Sequence, residues 1–126
     1  MPHILIVDDD ASNRDLLVQM LTLAGYTTSE ASHGAEALSY AQRAVPDMVI
    51  IDLAMPIMDG WTTIRRLKQD PALKALPVVV VTAYDTRDAT RRAWEAGCNV
   101  FMTKPVDYHR LLDTVQHQLA NRPPTA

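Results

Sequence analysis

The chain has 126 residues, 48% of them hydrophobic and 21% charged, with a formal net charge of −3. That is enough material for one compact domain with its own core, while the acidic balance offers no basic patch for nucleic acid and no apolar run is long enough to span a membrane. One cysteine, Cys98, excludes an intrachain disulfide and fits a reducing compartment; Met1-Pro2-His3 leads straight into a strand-like run with no leader pattern, so a cytoplasmic protein is expected.

Short apolar runs alternate with helix-period patterns along the chain, which points to βα units and a parallel sheet. His3-Ile4-Leu5-Ile6-Val7 reads as the first strand and runs into Asp8-Asp9-Asp10. A first helix is expected after Ser12, which has capping-box spacing to Asp15. Its apolar face is Leu17, Met20, Leu21 and Ala24, and Gly25 stops it. Tyr26 to Ala31 alternates weakly and reads as a second strand. Gly34 to Arg43 carries Ala37, Leu38 and Ala41, small enough to pack closely on a sheet, and Pro46 ends the unit.

Met48-Val49-Ile50-Ile51 is the third strand and ends at Asp52. A helix from about Asp59 to Gln69 follows, with Trp61, Ile64 and Leu67 on one side, until Asp70-Pro71 breaks it. Val78-Val79-Val80-Val81 forms the fourth strand and stops at Thr82. Thr86 can cap a helix with Ala89, Ala93 and Ala96 facing inward, closed by Gly97. Val100-Phe101-Met102 leads through Thr103 to Lys104. The last helix starts near Asp107 and repeats Leu111, Val115 and Leu119. Five strands and five helices make one domain over residues 1–121, and the 122–126 segment reads as a frayed tail. Right-handed crossovers put the first helix on one face and later ones on the other, leaving a switch point beside Asp8 and Asp52.

Each apolar run ends in a polar residue, and ligands of open α/β sheets gather at such carboxyl ends. Three adjacent aspartates repel one another unless solvated or neutralised. They suit a helix N-terminus, and they also suit Mg²⁺, which takes hard oxygen ligands and usually one or two protein carboxylates. Asp52 in the neighbouring strand, Thr82 and Lys104 favour the second reading. A carboxylate can attack a phosphoryl group to form an acyl phosphate. The transferring group needs a cation and hydrogen-bond donors, which Lys104 and the Thr82 hydroxyl can supply. Lys104-Pro105 also invites a cis peptide bond. Cys98 reads as a buried small hydrophobe. His3, His33, His109 and His117 lack metal-ligand spacing, Arg65-Arg66 and Arg91-Arg92 read as solvated helix faces, and Trp61 and Trp94 occupy positions that could be half buried.

These residues, as Ile4-Leu5-Ile6-Val7-Asp8-Asp9, Asp52-Leu53-Ala54-Met55-Pro56-Ile57-Met58-Asp59-Gly60, Val81-Thr82-Ala83 and Lys104-Pro105, resemble the receiver domain of two-component response regulators over about residues 3–120. The resemblance implies a flavodoxin-like doubly wound (βα)5 fold with a parallel sheet in the order 2-1-3-4-5. It implies that Asp52 accepts the phosphoryl group, from a histidine kinase or a histidine phosphotransfer protein. Asp8, Asp9, Asp52 and the Ala54 carbonyl would hold Mg²⁺, Lys104 would pair with the phosphoryl oxygens, and Thr82 would bond to the group once present. Thr82 and Phe101 form the implied switch. Phe101 stands where many members carry tyrosine and has no hydroxyl, so packing alone must hold it inward. Asp10 lies one place beyond the acid pair and reads as a helix-start residue. Ala54 and Tyr84 would border the path of the attacking water; alanine cannot orient it and Tyr84 could shield the acyl phosphate, so slow dephosphorylation is expected.

The implied output is a protein-binding surface on the fourth helix, fifth strand and fifth helix, read by a downstream partner. Such a chain is a signalling module of a phosphorelay, not a turnover enzyme, although it assists its own phosphorylation and dephosphorylation. It would act as a single-domain regulator or as the receiver of a hybrid kinase or multidomain regulator. An aspartate-nucleophile phosphatase would place its nucleophile and a threonine after the first strand, where this chain has Asp8-Asp9-Asp10-Ala11-Ser12, and would carry a cap domain. A flavin-binding relative is excluded because three aspartates would repel the cofactor's phosphate. A phosphorylation-independent interaction domain leaves the complete set of acids, threonine and lysine without a purpose.

Overall fold

The computed structural model describes residues 2–121. Ten elements alternate along them: β1 (His3–Val7), α1 (Ala11–Leu23), β2 (Thr27–Ala31), α2 (Gly34–Arg43), β3 (Met48–Ile51), α3 (Gly60–Gln69), β4 (Val78–Thr82), α4 (Arg87–Ala96), β5 (Val100–Thr103) and α5 (Tyr108–Ala120). The five strands are parallel and ordered β2-β1-β3-β4-β5, as the sequence implies. The reversal of order lies between β1 and β3, which pair Val7 with Ile51. The expected tail at 122–126 lies outside the described residues.

Strand alternation sorts the core into two layers. Ile4, Ile6, Met48, Ile50, Val79, Val81 and Met102 point toward α1 and α5, where they meet Leu17, Leu21, Leu111 and Val115. Leu5, Val7, Val49, Ile51, Val78 and Val80 point the other way, onto Ala37 and Ala41 of α2, Ile64 and Leu67 of α3, and Ala89, Ala93 and Ala96 of α4. The central strands are buried on both faces, which is why they read as unbroken apolar runs. Burying each of their large side chains contributes roughly 1.5–3 kcal/mol before the entropy of ordering is counted.

Several local details differ from the sequence reading. Asp10, read above as a helix-start residue, caps α1 in place of Ser12: its Oδ1 accepts from the amides of Ser12 and Asn13 at 2.9 and 3.1 Å. The Ser12–Asp15 box is therefore not formed, because the helix begins at Ala11, two residues too early for it. Ala24 is the exposed C-cap of α1 and no part of its packed face. Gly25 then takes a φ of 95°, open to glycine at no steric cost. Thr86 caps α4 through Ala89, as expected. Trp61 is buried rather than half buried, while Trp94 is 49% exposed.

Candidate functional site

The backbone ladder runs one residue past the strands and seats the chemistry. The Asp8 amide donates to the Ala31 carbonyl at 3.1 Å, the Asp52 amide to Val7 at 2.9 Å, and the Lys104 amide to Thr82 at 2.9 Å. Each polar residue is thus held against the end of a neighbouring strand. Gly60 makes the close packing behind Asp52 possible: a Cβ there would lie 2.5 Å from the Asp52 carbonyl oxygen and 2.6 Å from Leu53 Cα.

Asp8 and Asp52 are buried, at 1% and 6% exposure, and Asp9 is exposed. One oxygen from each of the three carboxylates lies within 4.8 Å of the others. The Lys104 Nζ donates to Asp8 Oδ2 at 2.8 Å and to Asp52 Oδ2 at 2.9 Å. The remaining oxygens are also used: Asp8 Oδ1 accepts from the Asp10 amide at 2.9 Å and Asp52 Oδ1 from the Ala54 amide at 3.2 Å. The Lys104–Pro105 peptide is cis, as its sequence invites.

Burial pushes the Asp8 carboxyl above its ordinary range, and this outweighs the hydrogen bonds from Lys104 and the Asp10 amide; the Asp52 charge adds to the rise. For Lys104, burial works against the ammonium, but the bonds and charges of Asp8 and Asp52 together win and raise it. The ammonium is thereby kept charged, and one cation faces a group of three acids. A hard, oxygen-lined site with surplus negative charge has the chemistry of a Mg²⁺ site, and the residues present fit that ion.

Thr82 is fully buried at the end of β4, where its Oγ1 accepts from the Tyr84 amide at 3.3 Å. Phe101 sits opposite Val80 on β5, partly buried against the core layer facing α2, α3 and α4. Thr82 and Phe101 therefore lie on adjacent strands near one edge. The four histidines lie elsewhere. His3 is at the far end of β1, its ring nitrogens 2.7 Å from Thr27 Oγ1 and 2.6 Å from Ser29 Oγ. His33 caps α2, and His109 and His117 belong to α5.

Sequence reasoning missed the parts that Arg14 and Trp61 play at the site. Arg14 on α1 donates to the Asp8 carbonyl at 2.7 Å and to Glu30 at 3.1 Å, pinning the acidic turn. An open cleft of about 420 Å³ also lies beside the acids, lined by Asp9, Ala54, Met55, Asp59, Trp61 and Tyr84. No periodicity signals either, because both depend on long side chains crossing between elements.

The family described as "Response regulator receiver domain" matches residues 4–116. The chain is 44% identical over 105 residues to the response regulator PleD of Caulobacter vibrioides, covering 83% of this chain and 23% of PleD; it thus spans under a quarter of that relative. It is 40% identical to an uncharacterised 14.6 kDa protein of Leptolyngbya boryana, covering 98% of this chain and 94% of the other. Among solved structures, the signal receiver domain of a signal transduction histidine kinase from Syntrophus aciditrophicus superposes with a TM-score of 0.93 at 32% identity, covering 100% and 96% of the two chains. Acids at the ends of β1 and β3, a lysine after β5, the strand order and these matches agree, and the chain belongs to the response regulator receiver domain family of two-component signalling.

Proposed function

We propose that this receiver domain takes a phosphoryl group on Asp52 from a phosphohistidine of a histidine kinase or phosphotransfer protein. The observation that carries the reading is the Lys104 ammonium bridging Asp8 and Asp52 at 2.8 and 2.9 Å beside the exposed Asp9. An Asp52 oxygen forms the new bond to phosphorus. The bond from phosphorus to the donor's imidazole nitrogen breaks, and that nitrogen keeps the electron pair and takes a proton from solvent. Lys104 pairs with the phosphoryl oxygens, and the Thr82 hydroxyl donates to one of them. Asp8, Asp9, Asp52 and the Ala54 carbonyl would hold Mg²⁺, which supplies charge neutralisation for the transferring group.

When Thr82 turns to the phosphoryl group, its bond from the Tyr84 amide is the contact at stake, and Phe101 packs into the space that opens. Phosphorylation biases a pre-existing equilibrium between two arrangements of these groups. The reading surface is made by α4, β5 and α5, where Trp94 stands exposed, and a downstream protein binds there in the cytoplasm. A second reading, the receiver of a longer regulator or hybrid kinase, is favoured by PleD being much longer than the match and by the origin of the Syntrophus domain.

The test is intact mass after incubation with Mg²⁺ and acetyl phosphate, and with a panel of phosphorylated histidine kinases and phosphotransfer proteins. A phosphate-mass adduct is expected on the wild type and not on Asp52→Asn. An equal adduct on both proteins, or none from any donor, overturns the assignment.

A further inference from the structure

The cleft beside the acids has an aromatic wall that the phosphoryl chemistry above does not use. Tyr84 and Trp61 form it, with ring centroids 6.0 Å apart and planes inclined by 18°. The indole is fixed from several sides. It is 8% exposed, its Nε1 donates to the Ala89 carbonyl at 3.2 Å, and the Arg92 guanidinium lies 4.0 Å from its ring centroid. Tyr84 is 46% exposed and lies in the loop before α4. An exposed tyrosine there would sample several rotamers if nothing held it. The buried indole is a rigid surface that selects the rotamer lying along the cleft.

We propose that Trp61 is a positioning residue that holds Tyr84 across the approach to Asp52 and so lengthens the life of its acyl phosphate; this rests on the Asp52 reading given above. In hydrolysis a water oxygen forms a bond to phosphorus opposite the Asp52 oxygen. The bond from phosphorus to that oxygen breaks, the carboxylate is restored, and inorganic phosphate leaves with one of the water's protons while the other passes to solvent. The water arrives through the open volume bordered by Asp9 and Ala54, the residues flanking the Asp52 carboxylate. Ala54 presents only a methyl group, so the tyrosine ring is the larger obstacle on that route. Trp61 acts on the reaction through Tyr84 and touches none of the reacting atoms.

A double-mutant cycle on phosphoryl decay tests this, because it separates action through Tyr84 from general loosening. Decay of the Asp52 adduct is followed by intact mass in the wild type, Tyr84→Ala, Trp61→Leu, Trp61→Phe and the double variant Trp61→Leu/Tyr84→Ala. Tyr84→Ala and Trp61→Leu are each expected to speed decay about threefold to tenfold, the range set by one aromatic pair. The double variant is expected to decay no faster than Tyr84→Ala, and Trp61→Phe to restore most of the lifetime. If Trp61→Leu does not fold, Arg92→Ala, an exposed position, is run in both Tyr84 backgrounds with an expected effect of about twofold. Unchanged decay in Tyr84→Ala, or the same acceleration by Trp61→Leu with and without Tyr84, overturns the role of Trp61 while leaving Asp52 as acceptor. A wild type that takes no phosphoryl group from any donor overturns the Asp52 reading and this inference with it.

Discussion

Single side chains in this protein carry charge where the fold withholds water. Asp8 and Asp52 are almost sealed, and both rely on Lys104 across chain separations of 96 and 52 residues. The sequence made these three residues legible because each follows an apolar run and so must sit at a strand's end. It did not reveal the contacts of Arg14, or of Trp61 with Tyr84, which depend on where long side chains reach across other elements. Cys98 shows burial outweighing a nearby charge. It is 5% exposed and its thiol is pushed up to about 11 by burial, against a small opposing pull from the Lys68 ammonium. The neutral thiol is favoured in the folded state, so its stabilisation is complete below the ordinary value of 9.0 and is lost as pH rises toward about 11. Between those limits the wild type should lose on the order of 1–3 kcal/mol more stability than Cys98→Ala, measured by urea unfolding across pH.

At the scale of elements, the helix ends mattered more than the helix interiors. The chain gave α4 correctly from Thr86 to Gly97 because a capping threonine and a left-handed glycine mark its two ends. It misplaced the start of α1 because Asp10 and Ser12 are both good caps and only the path out of β1 chooses between them. The start of α3 is held by a different constraint. Asp59 Oδ1 caps it by accepting from the Thr62 amide at 2.8 Å, and Gly60 lets its first turn lie against the backbone of Asp52 and Leu53. Gly60→Ala places a methyl where backbone already stands, which should cost about 1–3 kcal/mol and displace Asp52. Slower phosphorylation together with a lower unfolding midpoint is the expected result. A variant with wild-type values for both would show that the turn relaxes freely.

For the whole molecule, the sheet order is what makes a site out of separate strand ends. With β1 between β2 and β3, the Asp8 and Asp52 strands are neighbours, and β4 and β5 bring Thr82 and Lys104 to the same edge. Three acids against one ammonium leave a charge surplus that a divalent cation can relieve, so Mg²⁺ should stabilise the fold by mass action. A hundredfold excess over Kd would add about 2.7 kcal/mol, several degrees in Tm for a domain of this size. Thermal unfolding with Mg²⁺ and with chelator should show this difference in the wild type and much less of it in Asp9→Asn. An equal shift in both would place the ion elsewhere.

The sequence by itself determined the alternation of strands and helices, the two-sided burial of the central strands, and which polar residues stand at the strand ends. These are properties of local periodicity and of where each apolar run stops, and both are written in consecutive residues. Only the tertiary structure decided that Lys104 bridges Asp8 and Asp52, that Gly60 seats α3 behind Asp52, and that Trp61 lies under Tyr84 beside the cleft. Those contacts join residues far apart in the chain. Their distances follow from how two core layers pack against one twisted sheet, a geometry that no single segment contains.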